Sequence, residues 1–335
     1  MKTESSSGLM LALSCILLVT ASLVTLPAQA WSNGGYSSDP KNPDYGTHDW
    51  LAHHALDWIP DEMDFWIRNN LATYLYGTEL PDNKNAALGD GIGDTTLHHV
   101  YYRATGQLQD DSSARRAREA YQQALSHLVA GDDRNAAKWL GIATHYIADV
   151  AVFGHVMGAA TDWGAEKQHS DYEDWVNART NRYDAEFNIY LKFDGTLEER
   201  TIYDATLTLA FDTTFDSSKK GRTAKWMDTN YDPNNPFFRE RVGESLNLAT
   251  NFISDIIHNI SEAAGIPEFS SPSLVVPFAL AVAVVLIIGF RRTKALGWLS
   301  FQVSSAKATA QHTSLQHLCT RILSLPCDIH RIRVG

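Results

Sequence analysis

The 335-residue chain carries 28 Lys and Arg against 39 Asp and Glu, a net charge of -11. That balance argues against nonspecific nucleic-acid binding through a basic surface. Its three cysteines are Cys15, Cys319 and Cys327, so the long stretch between them has neither disulfides nor thiolate ligands, and any metal site there must use imidazole and carboxylate.

The chain opens with Lys2, an apolar run from Leu9 to Leu26, and Ala28-Gln29-Ala30. A basic start, an apolar stretch and an A-x-A site predict a signal peptide over 1–30, with a membrane anchor as the competing reading. Cleavage would make Trp31 the first residue of an exported domain spanning 31–265. The segment 32–46, rich in Gly, Ser, Pro, Asn and Asp, reads as an extended arm. Helical spacing begins near Thr47 and Pro60 ends that element, and a second helix is expected over Asp61–Tyr76. The glycine-rich stretch 77–96 reads as a loop. Asp111–Ala130 is amphipathic, with Ser112 or Ser113 as caps and Gly131 as the stop. Helices are further expected over Arg134–His155, roughly Gln168–Thr180, and Phe237–Ala264. Between them, Tyr183–Asp232 reads as a short hairpin or a loop over the site. No internal repeat is evident, and the expected class is all-α.

The strongest motif is His145-x3-Asp149-x5-His155, followed by His169-x3-Glu173. Residues four apart share a helix face, so each His–carboxylate pair can converge on one ion. A lone pair of this kind is ordinarily a surface hydrogen bond. Here Asp149 sits among Ile147, Val150, Val152 and Phe153, where a carboxylate is costly unless it is paired or binds metal. His48 at a helix start, Asp82 in Leu80-Pro81-Asp82, and the His98-His99 pair offer further ligands.

In order and spacing these residues resemble the zinc-dependent phospholipase C family across nearly the whole exported domain. The family's His-x-Trp-x-x-x-x-Ala pattern is matched by His48, Trp50 and Ala55. Its central His-x3-Asp-x5-His and later His-x3-Glu are matched by His145, Asp149, His155, His169 and Glu173. The resemblance implies a multi-helix fold around three zinc ions. One would take Asp82, His99, His145 and Asp149, and a second Trp31 (through its free amino group and carbonyl) and His48, with Asp149 bridging. The third would take His155, His169 and Glu173. Asp82 is preferred over Asp90 or Asp94, and His99 over His98 because two apolar or aromatic residues follow it. Asp82 and Asp149 are the implied catalytic residues, Asp82 as a general base. The ligand set alone would also accept manganese or iron.

The implied activity is hydrolysis of phospholipid head-group phosphodiesters. A single-strand nuclease of the same fold and a noncatalytic, metal-stabilised surface domain are the alternatives, and no duplex nucleic acid is expected as partner. Glu173, where the nuclease branch usually has Asp, and the opening Trp31-Ser32 rather than Trp-Gly favour the phospholipase. Beyond the domain, Ile266-Pro267-Glu268-Phe269, an apolar run from Leu274 to Phe290 and the basic residues Arg291, Arg292 and Lys294 resemble the Pro-Glu-Phe sorting signals of archaea. A membrane segment over 266–294, retained as an anchor or removed by a sorting enzyme, is therefore expected. The tail 295–335 has no assigned role.

Overall fold

The computed structural model describes residues 35–267, all within the first of two units into which the chain divides, 1–268 and 269–335. The signal peptide, Trp31, the apolar run 274–290 and the tail lie outside the described residues. No helix among the described residues is long and apolar enough to cross a membrane.

The described residues form a helical domain with α1 Thr47–His54, α2 Asp61–Arg68, α3 Leu71–Glu79, α4 Ser112–Val129, α5 Asp133–Asp149, α6 His169–Asn177, α7 Ile202–Phe215, α8 Ala224–Thr229 and α9 Pro236–Ala263. Short 3-10 turns cover Ala55–Trp58, Thr95–Leu97, Phe153–Val156 and Glu186–Tyr190. The helical class is as expected, with one addition: β1 Tyr101–Tyr102 and β2 Leu108–Asp110 pair antiparallel as a small hairpin.

Helix α9 forms one long wall. Its 28 residues span about 42 Å, start on an Asn235 cap that accepts the Phe237 N–H, and have Pro at the first turn. Along it Phe238, Val242, Leu246, Ile253, Ile256, Ile257 and Ile260 are buried, each contributing about 1.5–3 kcal/mol of hydrophobic stabilisation. Helix α4 presents Ala114, Ala117, Ala120 and Ala124, all buried, and these small side chains let it lie close along α5. Helix α5 begins with Asp132 accepting the Asn135 N–H, an N-cap that satisfies one of the free donors of the first turn.

The tightest crossing is between α3 and α5. A Cβ on Gly77 would lie 2.3 Å from the Lys138 carbonyl, and one on Gly141 would lie 2.0 Å from that of Tyr74. Only glycine lets these two backbones touch, and α3 runs past the expected end at Tyr76, through Gly77 to Glu79.

Several element bounds depart from the expectations. The helix expected over 61–76 is broken at Asn69–Asn70. Neither Ser112 nor Ser113 caps α4, because both lie inside it: Ser112 Oγ binds Asp110, and Ser113 Oγ donates to the Tyr146 carbonyl. The long helix expected to reach His155 stops at Asp149 and resumes as a 3-10 turn. Over 183–232 the structure has helices α7 and α8 rather than a hairpin or open loop. The β-branched threonines Thr206, Thr213 and Thr214 are buried in α7, where they donate to carbonyls four residues back. Tertiary burial thus overrides their β preference.

Candidate metal centre

Six segments of the chain bring their polar side chains to one buried place. His48 comes from the first turn of α1, and Asp82 from the chain just after α3. His98 follows the Thr95–Leu97 turn, His145 and Asp149 lie on the last turns of α5, and His155 sits in the 3-10 turn beyond it. His169 and Glu173 lie on one face of α6. His48, His145 and Asp149 are essentially inaccessible, and the Asp82 side chain is 8 % exposed.

Asp149 is the hub. Its Oδ2 lies 3.0 Å from His98 Nδ1 and 3.0 Å from His145 Nε2. Its Oδ1 faces the other way, 3.4 Å from His48 Nε2 and 3.9 Å from His155 Nε2. Asp82 Oδ1 completes the first side, 3.3 Å from His98 Nδ1 and 3.8 Å from His145 Nε2. In the neighbouring trio, Glu173 Oε1 lies 2.8 Å from His169 Nε2 and 3.6 Å from His155 Nε2. The His48 and His145 rings stack at 4.0 Å, and those of His155 and His169 stand perpendicular.

Backbone groups fix the outer edges. His145 Nδ1 donates to the Thr78 carbonyl at 2.6 Å, which leaves its Nε2 directed at the cluster. Glu79, beside it, is buried and accepts both the N–H and the hydroxyl of Ser37, while the Tyr36 hydroxyl donates to the Asp82 carbonyl. The arm leading back toward Trp31 is thereby tied to the segment that carries Asp82.

The charge distribution follows from this crowding. Burial opposes charge on Asp149, yet the rings of His145, His155 and His98 outweigh it and hold the carboxyl well below its usual range. Burial also opposes charge on His98, but Asp149, Asp94 and Asp82 push it up to about 10. The same contest, won by Glu173 and Glu166, takes His169 to about 10. Burial lowers His145. Carboxylates packed among imidazoles in this way concentrate negative charge where a cation can neutralise it.

The donor set fits zinc. Zinc bonds of about 2.0–2.2 Å in tetrahedral geometry put neighbouring donors about 3.3–3.6 Å apart. The separations among Asp82, His98, His145 and Asp149 run from 3.0 to 3.8 Å. His48 Nδ1 and Nε2, His155 Nε2 and both Asp149 oxygens are buried without a well-formed hydrogen bond, an arrangement that is costly in a metal-free core. Three compact groups of candidate ligands emerge: His48, Asp82 and His145; His98, His145 and Asp149; His155, His169 and Glu173.

One expected residue is elsewhere. His99 does not enter the cluster: its ring stacks on Tyr101 and its Nε2 lies 3.4 Å from Asp110. Its neighbour His98 takes the inner position. Burial alternates from the end of the Thr95–Leu97 turn into β1: His98, Val100 and Tyr102 are buried while His99 and Tyr101 are part-exposed. Of the carboxylates that compete with Asp82, Asp90 binds Lys138 and Tyr76, and Asp94 lies on the far side of the His98 ring. Sequence reasoning gave no role to Gly154, where a Cβ would lie 2.5 Å from the His169 ring. Its position beside a candidate ligand was the only available signal.

Fold and site together define a helical metalloprotein with a buried, thiolate-free cluster of imidazole and carboxylate donors. Residues 47–229 match the family described as zinc dependent phospholipase C, and the chain belongs to that family. It is a zinc hydrolase acting on phosphoric ester bonds. Among solved structures it is similar to the alpha toxin from Clostridium absonum, at 15% identity over 71% of this chain and 68% of that one, TM-score 0.45. It is also similar to the Clostridium perfringens alpha-toxin from avian strain SWCP, at 15% identity over 70% and 67% of the two chains, TM-score 0.41. A comparison with curated proteins gives no match.

Proposed function

We propose that this protein is an exported phosphodiesterase that hydrolyses phospholipid head-group phosphodiesters. The observation that carries the reading is the divided use of Asp149, whose two oxygens face different imidazoles beside a separate His155–His169–Glu173 trio. Asp82, His98, His145 and Asp149 would hold one zinc, and His155, His169 and Glu173 another. His48 and Asp149 would share a third with the free amino group and carbonyl of Trp31. Zinc bound there supplies Lewis acidity toward the phosphoryl oxygens and lowers the pKa of water.

The chain's own residues then set the geometry. Asp149 fixes the spacing of the imidazoles, and the Thr78 carbonyl holds the His145 ring in one tautomer. Asp82, the most exposed carboxylate of the first set, accepts the proton of the attacking water as general base. That water adds to phosphorus as the ester bond to the leaving alcohol breaks, without a covalent enzyme intermediate. Glu173 and the opening Trp31-Ser32 support the phospholipase over a single-strand nuclease.

Purified protein assayed against phosphatidylcholine, an ether phospholipid, single-stranded DNA and a generic phosphodiester tests the reading. Phospholipid hydrolysis that a chelator abolishes and zinc restores is the expected result, and hydrolysis of DNA alone would overturn it. Export is tied to the same chemistry. A form that retains Met or a tag ahead of Trp31 is expected to bind one zinc fewer and lose most of its activity. Equal zinc content and activity would detach Trp31 from the site.

A further inference from the structure

The nitrogen of His98 that faces away from the cluster has a partner of its own. His98 Nε2 lies 3.1 Å from Asp94 Oδ1, on the edge of the ring opposite Asp82 and Asp149. Asp94 is itself fully engaged: the Tyr146 hydroxyl donates to both of its oxygens at 3.0 and 3.1 Å, and Arg116 Nε donates to Oδ2 at 2.7 Å. Arg116 also lies over the Tyr146 ring. The Asp94 N–H donates to the Pro81 carbonyl at 2.9 Å, so its backbone is tied to the residue before Asp82. With an arginine and a tyrosine on its oxygens, Asp94 is a poor ligand and a well-anchored acceptor.

We infer that Asp94 is a positioning residue that keeps the His98 N–H on Nε2, so that the Nδ1 lone pair points at the zinc held with Asp82, His145 and Asp149. This rests on the reading of His98 as a ligand. A neutral imidazole has one N–H, and whichever nitrogen carries it cannot bind metal. A carboxylate behind a ligating histidine selects the tautomer, fixes the ring plane and raises the basicity of the ligating nitrogen. Tyr146 and Arg116 act one step further out by holding Asp94 in register.

The test compares zinc affinity by chelator competition in the full-length wild type, Asp94→Ala, Asp94→Asn, Tyr146→Phe and His98→Ala. Asp94→Ala is expected to weaken one zinc by about 10- to 100-fold while the zinc of the His155 group keeps its affinity. Asp94→Asn, which retains an acceptor oxygen, should recover part of the loss. In zinc-loaded protein with 15N-labelled histidine, His98 should carry its proton on Nε2 in the wild type and lose that single assignment in Asp94→Ala. Should Asp94→Ala fail to fold, Asp94→Asn and Tyr146→Phe give the same readouts with the side-chain volume kept. Wild-type affinity at every zinc in the Asp94 variants, with zinc lost from His98→Ala, would overturn the role of Asp94 and leave the ligand reading standing. Undiminished zinc in His98→Ala would overturn both. Equal weakening of all zinc ions by Asp94→Ala would mark a general structural role and overturn the proposal.

Discussion

Asp149→Ala is expected to abolish phosphodiester hydrolysis and to remove at least one zinc, and in practice two. The side chain is fully buried, with two imidazoles against one oxygen and two more facing the other. Loss of a residue one step outside a metal site already costs about 10- to 100-fold, so loss of a shared ligand should exceed about 100-fold in turnover. The apoprotein should suffer too. Removing one partner from a buried charged cluster costs about 3–5 kcal/mol, here moderated because the remaining imidazoles can become neutral. Asp149→Asn separates the two effects, since it keeps the volume and loses the charge. Zinc stoichiometry by elemental analysis and turnover on a soluble phosphodiester are the two measurements. Full activity with unchanged metal in either variant would remove Asp149 from the centre.

Gly154→Ala, one methyl group, is the second large expected effect. The new Cβ would sit 2.5 Å from His169 Cγ, 2.6 Å from Cδ2 and 2.7 Å from Nδ1, well inside van der Waals contact. Either the His169 ring swings away, breaking its 2.8 Å approach to Glu173, or the 3-10 turn that carries His155 shifts. Both outcomes damage the same trio. Overpacking of this kind costs about 1–3 kcal/mol, and a thermal melt of the zinc-loaded protein should register it. The sharper readout is selective loss of the zinc bound by His155, His169 and Glu173. A variant with wild-type melting and full zinc content would mean that the ring and turn relax without consequence.

How much of this was legible in the sequence depends on the local geometry of each residue. His145 with Asp149, and His169 with Glu173, were readable because a helix places residues four apart side by side whatever the rest of the chain does. The His98–His99 choice was not. It turns on which residue leaving the Thr95–Leu97 turn faces inward, and the turn and the two-stranded hairpin that follows it left no strong mark. Gly154, Thr78 and Glu79 act through contacts with residues 15, 67 and 42 positions away (His169, His145 and Ser37), beyond any local pattern. Helix α7 was misread for the opposite reason, because its threonines signal strand locally and are overruled by burial.

The Gly77–Gly141 crossing bears on which ion the centre accepts. Asp82 and the Thr78 carbonyl belong to the α3 side, and His145 and Asp149 to the α5 side. The gap between these two sets is therefore gauged by main chain resting on main chain, which has no rotamers to exchange. A larger, oxygen-loving cation would need longer bonds and more donors, and could obtain them only by prising two buried helices apart. Imidazole and carboxylate chemistry alone would admit manganese or iron. The spacing between the two ligand sets is thus held by two residues that have no side chain at all.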